Sequence, residues 1–166
     1  MSEPESMNEQ GGLLLTPEGH KTLQKELEHL TLVKRPEIAD RIRESQQHGE
    51  FSEDNNELDE VKFEQAMVEE RIATLKHIFG TAHVLDPKRI PTDQVGIGSR
   101  VRVLDIEFAD EFEVRVVTSV EADPQNMLIS IDSPMGTALL GKTPKDAIEF
   151  EAPDGVKQYK ILEIRR

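Results

Sequence analysis

The stretch LDEVKFEQAMVEERIATLKHIFG, residues 58–80, decides the first half of the fold. Its seam positions recur at alternating spacings of three and four residues, at Leu58, Val61, Gln65, Val68, Ile72, Leu75 and Phe79. This spacing is the a/d seam of a heptad repeat, and it predicts a long amphipathic helix with Gln65 as a polar, register-setting member. Gly80 follows the last seam residue, at the C′ position where a glycine commonly ends a helix. A helix with one apolar stripe must bury that stripe against a partner.

A second periodic stretch upstream supplies that partner. Thr16 followed by Pro17 predicts an N-cap and the first helical residue, and leucines then recur at spacings of four and three. Pro36 removes a helical donor and restricts the residue before it, so a kink or short break is expected there. Two amphipathic helices joined by a few polar residues predict an antiparallel helical hairpin. Its first arm, residues 17–47, would be about 45 Å long at 1.5 Å per residue.

The second half of the chain has a different period. Short alternating apolar runs predict strands around Val101 and Val103; Phe112, Val114 and Val116; Leu128, Ile129 and Ile131; Ile148 and Phe150; and Tyr159, Ile161 and Ile164. Ser133 as N-cap and Pro134 at the first helical position predict a short helix within residues 133–142. The fold class is therefore α+β: a helical coiled-coil hairpin followed by a small antiparallel sheet with one short helix.

The organisation along the chain follows from these periods. Residues 1–12 are predicted to be a disordered acidic tail, and residues 13–85 the hairpin, with its tip at 49–57. Residues 86–99 are rich in proline, glycine and polar side chains and are predicted to be a linker. Residues 100–166 would form the sheet domain.

Composition excludes several classes of protein. The chain has 33 acidic and 20 basic residues, a net charge of −13, which disfavours general duplex binding because phosphates require basic neutralisation. It has no cysteine, so disulfides and thiolate chemistry are excluded. No apolar run reaches the length of a membrane span, and the N-terminus lacks the basic start and apolar core of a signal peptide. We therefore expect a cytoplasmic protein that does not contact a membrane.

The negative charge is concentrated at the predicted hairpin tip. Residues 50–64 contain one base, Lys62, and seven acids: Glu50, Glu53, Asp54, Glu57, Asp59, Glu60 and Glu64. One interpretation is a solvated helix terminus whose acids complement the helix dipole. The other is metal chemistry, because carboxylate and amide oxygens suit Mg²⁺. The stretch lacks the glycine and ligand spacing of an EF-hand, and nothing indicates the enclosed cleft of a self-contained hydrolase.

Two separate motifs in the sequence resemble those of a known protein family. The first is RPEI (35–38), then His48-Gly49, the acidic tip, K-x-E-Q-A (62–66) and ERI (70–72); the second is NMLISIDSPMGTALLGK (126–142). Together they resemble the bacterial Gre family of transcript cleavage factors, GreA type, over residues 13–166. The resemblance implies an FKBP-like second domain, although the few aromatic residues there predict no prolyl-isomerase pocket.

The resemblance also implies a mechanism. The hairpin would enter the secondary channel of RNA polymerase, where the tip carboxylates Glu50, Glu53 and Asp54 would help to hold a second Mg²⁺ at the polymerase's own active site. The polymerase would then hydrolyse the 3′ end of RNA in a backtracked complex. The chain would therefore be no enzyme by itself, would hold no cofactor alone, and would act as a monomer.

Two further contacts follow from the resemblance. Lys62 would contact RNA, and the segment Asp132, Ser133, Pro134 and Met135 would contact the polymerase outside the channel.

The tip departs from the family pattern. The usual Gly-Asp-Leu-x-Glu-Asn is here Gly49-Glu50-Phe51-Ser52-Glu53-Asp54-Asn55, so Glu50 replaces aspartate and one residue is inserted. The insertion leaves open whether Glu53 or Asp54 takes the glutamate's role. Gln46 stands where the family often has an arginine. A misplacement of about 1 Å can cost on the order of 100-fold in rate.

Three alternatives therefore stay open beside the cleavage factor. The closest is a secondary-channel regulator that competes for or inhibits the polymerase without efficient cleavage. The others are a coiled-coil adaptor or chaperone without a polymerase role, and a stand-alone hydrolase.

Overall fold

The computed structural model describes residues 13–49 and 56–166, excepting the side chain of residue 48. The chain divides into two compact units. The hairpin unit consists of His20–Thr81, and the sheet unit consists of Met1–Gly19 together with Ala82–Arg166. Among the described residues, no helix is both long and apolar enough to cross a membrane.

The first arm of the hairpin is helical throughout but changes its winding in the middle. It consists of α1 (Pro17–His29), a π-helical turn (Leu30–Lys34) and α2 (Arg35–Gly49). The π-helical turn lies directly before Pro36, and the Arg35 N–H reaches back to the carbonyl of Leu30. A wider turn absorbs the donor that proline lacks without breaking the helix. In place of the expected kink or short break before Pro36, the structure has a π-helical turn within a continuous helix.

The second arm is one uninterrupted helix, α3 (Asn56–Thr81). Val61, Ile72 and Leu75 of the predicted seam are buried. Ile38 and Ser45 of the first arm are buried as well. The two arms therefore bury facing stripes, as the antiparallel hairpin requires.

Two details of the predicted seam are wrong. Gln65 is exposed, so it does not lie in the seam and does not set its register. Gly80 lies inside α3, which continues to Thr81, and its backbone is not left-handed. Past Leu75 the buried position is Ile78. A straight helix of 3.6 residues per turn drifts away from a repeat of 3.5, which moves the buried stripe around the helix.

The sheet unit contains two sheets. The smaller is a parallel pair, β1 (Leu13–Leu15) with β2 (Ala82–Val84), which the sequence did not predict. The larger contains β3 (Arg100–Asp105), β4 (Glu111–Val117), β5 (Leu128–Ser130), β6 (Ala147–Ala152) and β7 (Gly155–Arg165). Its strand order is β5-β4-β3-β7-β6, and every neighbouring pair is antiparallel except β4 with β5, which is parallel.

One face of the larger sheet forms the core of this unit. Val101, Val103, Val116 and Ile161 are completely buried on it, and so is Leu139 of the short helix α4 (Pro134–Leu139). The α4 helix begins where the sequence predicted.

The segment predicted as a linker, residues 86–99, contains a short 3₁₀ helix, Pro87–Arg89. Its side chains Ile90, Val95 and Ile97 are buried. This segment therefore contributes to the core of the sheet unit.

Candidate functional site

The residues between the two arms of the hairpin, 50–55, are called the acidic segment below. The α2 helix ends at Gly49 and α3 begins at Asn56. The predicted site residues Glu50, Glu53 and Asp54 lie between these helix ends, outside the described residues. Glu57 and Asp59 follow in the first turn of α3, where carboxylates complement the helix dipole.

Lys62 lies on α3 about two turns from its N-terminus, next to the buried Val61. Its side chain is exposed, and no carboxylate among the residues that the structure describes forms an ion pair with it. A lysine placed in this way is available to a negatively charged ligand near the acidic segment.

Ion pairs link the two arms at several levels. Arg35 donates two hydrogen bonds of 2.8 Å to Glu69, Arg41 donates one of 2.7 Å to Glu64, and Arg71 donates two to Glu26, of 2.7 and 3.0 Å. The further a residue lies along the first arm, the earlier its partner lies on the second arm. This is the order expected for an antiparallel pair of helices.

The Arg35–Glu69 pair is exposed and the other two pairs are partly buried, and all three contribute mostly to register. The hydrogen bonds from Arg35 lower the pKa of the Glu69 carboxyl below its usual value. Because both partners face water, screening reduces what each pair adds to stability. The planar, two-point geometry of the Arg35–Glu69 and Arg71–Glu26 pairs favours one alignment of the arms over its neighbours.

The described residues contain no cluster of three or more His, Cys, Asp or Glu side chains that could hold a metal ion. The predicted Mg²⁺ ligands Glu50, Glu53 and Asp54 lie between α2 and α3, outside the described residues. Near this segment, the described residues supply the exposed cation Lys62.

The segment Asp132–Met135 precedes and opens α4. The Ser133 hydroxyl accepts a hydrogen bond of 3.0 Å from the Gly136 amide and donates one of 2.6 Å to the Ser130 carbonyl. The Ser130 hydroxyl in turn accepts from the Asp132 amide at 3.0 Å. This confirms Ser133 as the N-cap and fixes the loop on both sides of it.

A close backbone approach completes this loop. A Cβ atom on Gly136 would lie 1.8 Å from the Ser130 carbonyl oxygen, so the position accepts glycine alone. Asp132 and Pro134 are exposed, whereas Met135 is half-buried and packs against the core. The loop therefore presents an acid and a proline on a rigid base, an arrangement suited to contact with another protein.

The structure buries the carboxylate of Glu121, which the sequence did not single out. Glu121, which is 8% exposed, accepts hydrogen bonds from the Thr16 amide at 2.8 Å and the Thr16 hydroxyl at 2.5 Å. The Thr16 hydroxyl also accepts from the Gly19 amide at 3.0 Å, which confirms Thr16 as the N-cap of α1. Burial raises the pKa of the Glu121 carboxyl, while the hydrogen bonds from Thr16 oppose that rise.

The same region holds a second charged contact. Arg115 donates to Glu18 at 3.0 Å, and Arg100 lies 3.9 Å from the same carboxylate. Glu121 and Thr16 are 105 residues apart in sequence, so no local pattern could have paired them. These contacts make the first turn of α1 part of the sheet unit.

Comparisons with known proteins agree with this architecture. Residues 13–84 match the family described as "Transcription elongation factor, N-terminal", and residues 90–166 match "Transcription elongation factor, GreA/GreB, C-term". A relative named transcription elongation factor GreA, from Clostridioides difficile (strain 630), is 48% identical over 160 residues, which cover 96% of this chain and 100% of the relative.

Two further comparisons cover nearly the whole chain. A relative with the same name from Acetivibrio thermocellus is 49% identical over 154 residues, 93% of this chain and 96% of the relative. The crystal structure of GreA factor homolog 1 of Thermus thermophilus is 28% identical, covers 93% of this chain and 99% of its own, and superposes with a TM-score of 0.45.

Proposed function

Because this chain belongs to the GreA/GreB family of transcription elongation factors, we propose that it acts on RNA polymerase by stimulating transcript cleavage. In this proposal the acidic end of the hairpin enters the secondary channel. The polymerase then cleaves the 3′ end of backtracked RNA with its own Mg²⁺-dependent activity, and elongation resumes.

The proposal is supported by the two helices on either side of the acidic segment, α2, which ends at Gly49, and α3, which begins at Asn56. These helices are linked by ion pairs, and α3 alone is 26 residues long. At 1.5 Å per residue this arm is about 39 Å long, enough to reach a buried site through a narrow opening.

The chemistry proposed for the tip is metal binding shared with the polymerase. Glu50, Glu53 and Asp54 would supply carboxylate oxygens to an Mg²⁺ ion that is otherwise held by the polymerase and by RNA phosphate. Lys62 would contact the RNA backbone, since its ammonium is exposed on the adjacent turns of α3. The chain alone would hold no metal and would hydrolyse nothing.

The loop Asp132–Met135 is the proposed contact with the polymerase outside the channel. The exposed Asp132 and Pro134 stand on the hydrogen-bonded base formed by Ser130, Ser133 and Gly136. A loop that is rigid before binding loses little entropy on association.

One observation favours a second candidate function. Glu50 places its carboxylate one methylene further from the backbone than the usual aspartate, and the tip contains one additional residue. If this geometry no longer fits the metal, the same hairpin would occupy the channel and compete with other ligands, without efficient cleavage.

The experiment that separates the two uses a stalled, backtracked elongation complex with 3′-labelled RNA. It compares wild type, Glu50→Ala, the double variant Glu53→Ala with Asp54→Ala, and Glu70→Ala as a control acid that lies four turns into α3. Release of short 3′ fragments by wild type and the control, lost in the tip variants at equal binding, supports the cleavage factor. Tight binding of wild type without fragment release supports the competing regulator.

A further inference from the structure

The aromatic side chains of the sheet unit gather at one end of the larger sheet. Tyr159 makes edge-to-face contacts with Phe112 and Phe150, at ring-centroid distances of 5.4 and 5.2 Å. All three are half-buried. Phe108, in the turn between β3 and β4, completes the group and is 61% exposed. We name these four residues the aromatic end.

The exposed ring of Phe108 is held in place by its turn. The buried carboxylate of Asp105 accepts hydrogen bonds from the amides of Glu107 and Phe108, at 2.9 and 3.2 Å. The Ile106 amide donates to the Gln158 carbonyl at 3.0 Å, which attaches this turn to β7. An exposed aromatic ring on a fixed turn is a typical anchor of a protein interface.

The surroundings of the aromatic end are strongly acidic. Two turns lie at this end: the turn after β3, residues 105–111, contains four acids and no base, and the turn between β6 and β7 contains Asp154. The exposed acids of these turns are Glu107, Asp110, Glu111 and Asp154. An apolar surface with such a border favours a positively charged ligand over a negatively charged one.

A cation of the chain itself already uses this surface. The Lys157 ammonium lies 5.9 Å from the centroid of the Phe108 ring and 3.0 Å from the Asp154 carboxylate. This is the geometry of a cation–π contact supported by a carboxylate. An ammonium group is therefore accommodated over this ring beside a carboxylate.

We propose that the aromatic end is a docking surface for an arginine- or lysine-rich segment of a protein partner. A partner cation would lie on the Phe108 ring, in exchange with Lys157, and further cations would face the acids of the two turns. The charge argument disfavours other occupants: nucleic acid is a polyanion, a second copy carries a net charge of −13, and residues 1–12 contain acids and no base. This surface is separate from the cleavage chemistry proposed above.

The test uses a short, end-blocked peptide of alternating arginine and serine, and the same peptide with glutamate in place of arginine. Binding is followed by NMR of the full chain, and by the fluorescence of Tyr159, which is the chain's single tyrosine in the absence of tryptophan. Phe108→Ala is compared with Phe63→Ala, because Phe63 of the hairpin unit is similarly exposed, at 69%. Lys157→Met is compared with Lys160→Met, which removes the same charge from an exposed position of β7.

The direction of the change in arginine-peptide affinity is predicted for each variant. The arginine peptide shifts the signals of the aromatic end, and the glutamate peptide does not. Phe108→Ala weakens binding by about threefold to tenfold, as expected for the loss of a cation–π contact, whereas Phe63→Ala leaves it unchanged. Lys157→Met strengthens binding by about threefold more than Lys160→Met, because it removes the cation that competes for the ring.

Any of three results with the peptides would overturn the proposal. The first is equal binding of both peptides. The others are equal changes in arginine-peptide affinity for the two phenylalanine variants, or for the two lysine variants. Shifts at the aromatic end with single-stranded RNA, but none with the arginine peptide, would also overturn it. Transcript cleavage by Phe108→Ala should match wild type, which separates a failure here from a failure of the proposed function.

Discussion

Replacing Glu121 should destabilise the sheet unit more than any exposed carboxylate does. Its side chain accepts from the Thr16 amide and hydroxyl, and Thr16 itself is 1% exposed. In Glu121→Ala both donors lose their acceptor in a site that water does not reach.

The size of the effect follows from these contacts. An unsatisfied buried donor costs about 1–3 kcal/mol, and here there are two. The Thr16 hydroxyl can rotate, and removing a buried carboxylate also relieves its desolvation, so part of this cost is recovered. We expect a loss of about 2–4 kcal/mol in the free energy of unfolding.

The assay is urea denaturation read separately for each unit. Tyr159 fluorescence reports on the sheet unit, and far-UV circular dichroism is dominated by the helices of the hairpin unit. A double-mutant cycle with Thr16→Ala isolates the hydrogen bond from the Thr16 hydroxyl, because alanine keeps the amide donor, and we expect a coupling of about 1–2 kcal/mol. Glu149→Ala, at an exposed position of β6, is the control and should unfold close to wild type.

Two outcomes would refute this reasoning. The first is a Glu121→Ala transition that coincides with that of the Glu149→Ala control. The second is a cycle without coupling, in which the costs of Thr16→Ala and Glu121→Ala simply add.

Three other perturbations test separate parts of the structure. Burial raises the folded-state pKa of Glu121 above its ordinary value of 4.5, so its contribution to stability is complete below 4.5 and is lost as the pH rises through the raised pKa. Glu121→Gln should therefore gain stability relative to wild type with rising pH across that window, measured by urea titrations; a constant difference would contradict the raised pKa. Ile72→Ala, at a seam position 2% exposed, should cost about 2–5 kcal/mol in unfolding followed by circular dichroism, while Ala73→Gly on the exposed side should cost about 1 kcal/mol. Gly136→Ala would place a methyl group 1.8 Å from the Ser130 carbonyl oxygen and should lower the free energy of unfolding by at least about 2 kcal/mol. The amide of residue 136 should then exchange faster than in wild type. Unchanged exchange would exclude the close approach.

The helices and most strands could be predicted because their signals are local. The 3–4 spacing in residues 58–79 and the cap formed by Ser133 and Pro134 depend on neighbouring residues, and both predicted the observed elements. The slow rotation of a straight helix out of a heptad register accounts for the shift of the buried position to Ile78 at the end of α3. It does not account for Gln65, because Val61 and Ile72 on either side of it are buried as predicted.

Contacts between distant segments could not be predicted in this way. The β1 and β2 strands are three residues each and are separated by the entire hairpin, so neither has a pattern long enough to identify. Glu121 reads as one more acid in a chain with 33 acidic residues. Only the fold brings it to Thr16 and buries it.

Of the candidate site, too, only the part that depends on local sequence could be predicted. The loop Asp132–Met135 was predicted as a cap followed by a helix, and its local hydrogen bonds confirm that structure. The roles of Glu50, Glu53 and Asp54 come from resemblance to a family, because a run of acids by itself fits a solvated turn equally well. The function proposed for them depends on a partner's active site, which no periodicity within this chain encodes.

The distribution of basic residues gives the physical argument that the acidic segment serves a partner. Arg35, Arg41 and Arg71 each form an ion pair with a carboxylate of the opposite arm. No lysine or arginine occurs between Arg43 and Lys62, although seven acids lie in that interval. Like charges without counter-charges repel and lower the stability of the fold that carries them. This distribution of charge along the sequence fits the proposed role of the acidic segment as a ligand for a cation held by a partner.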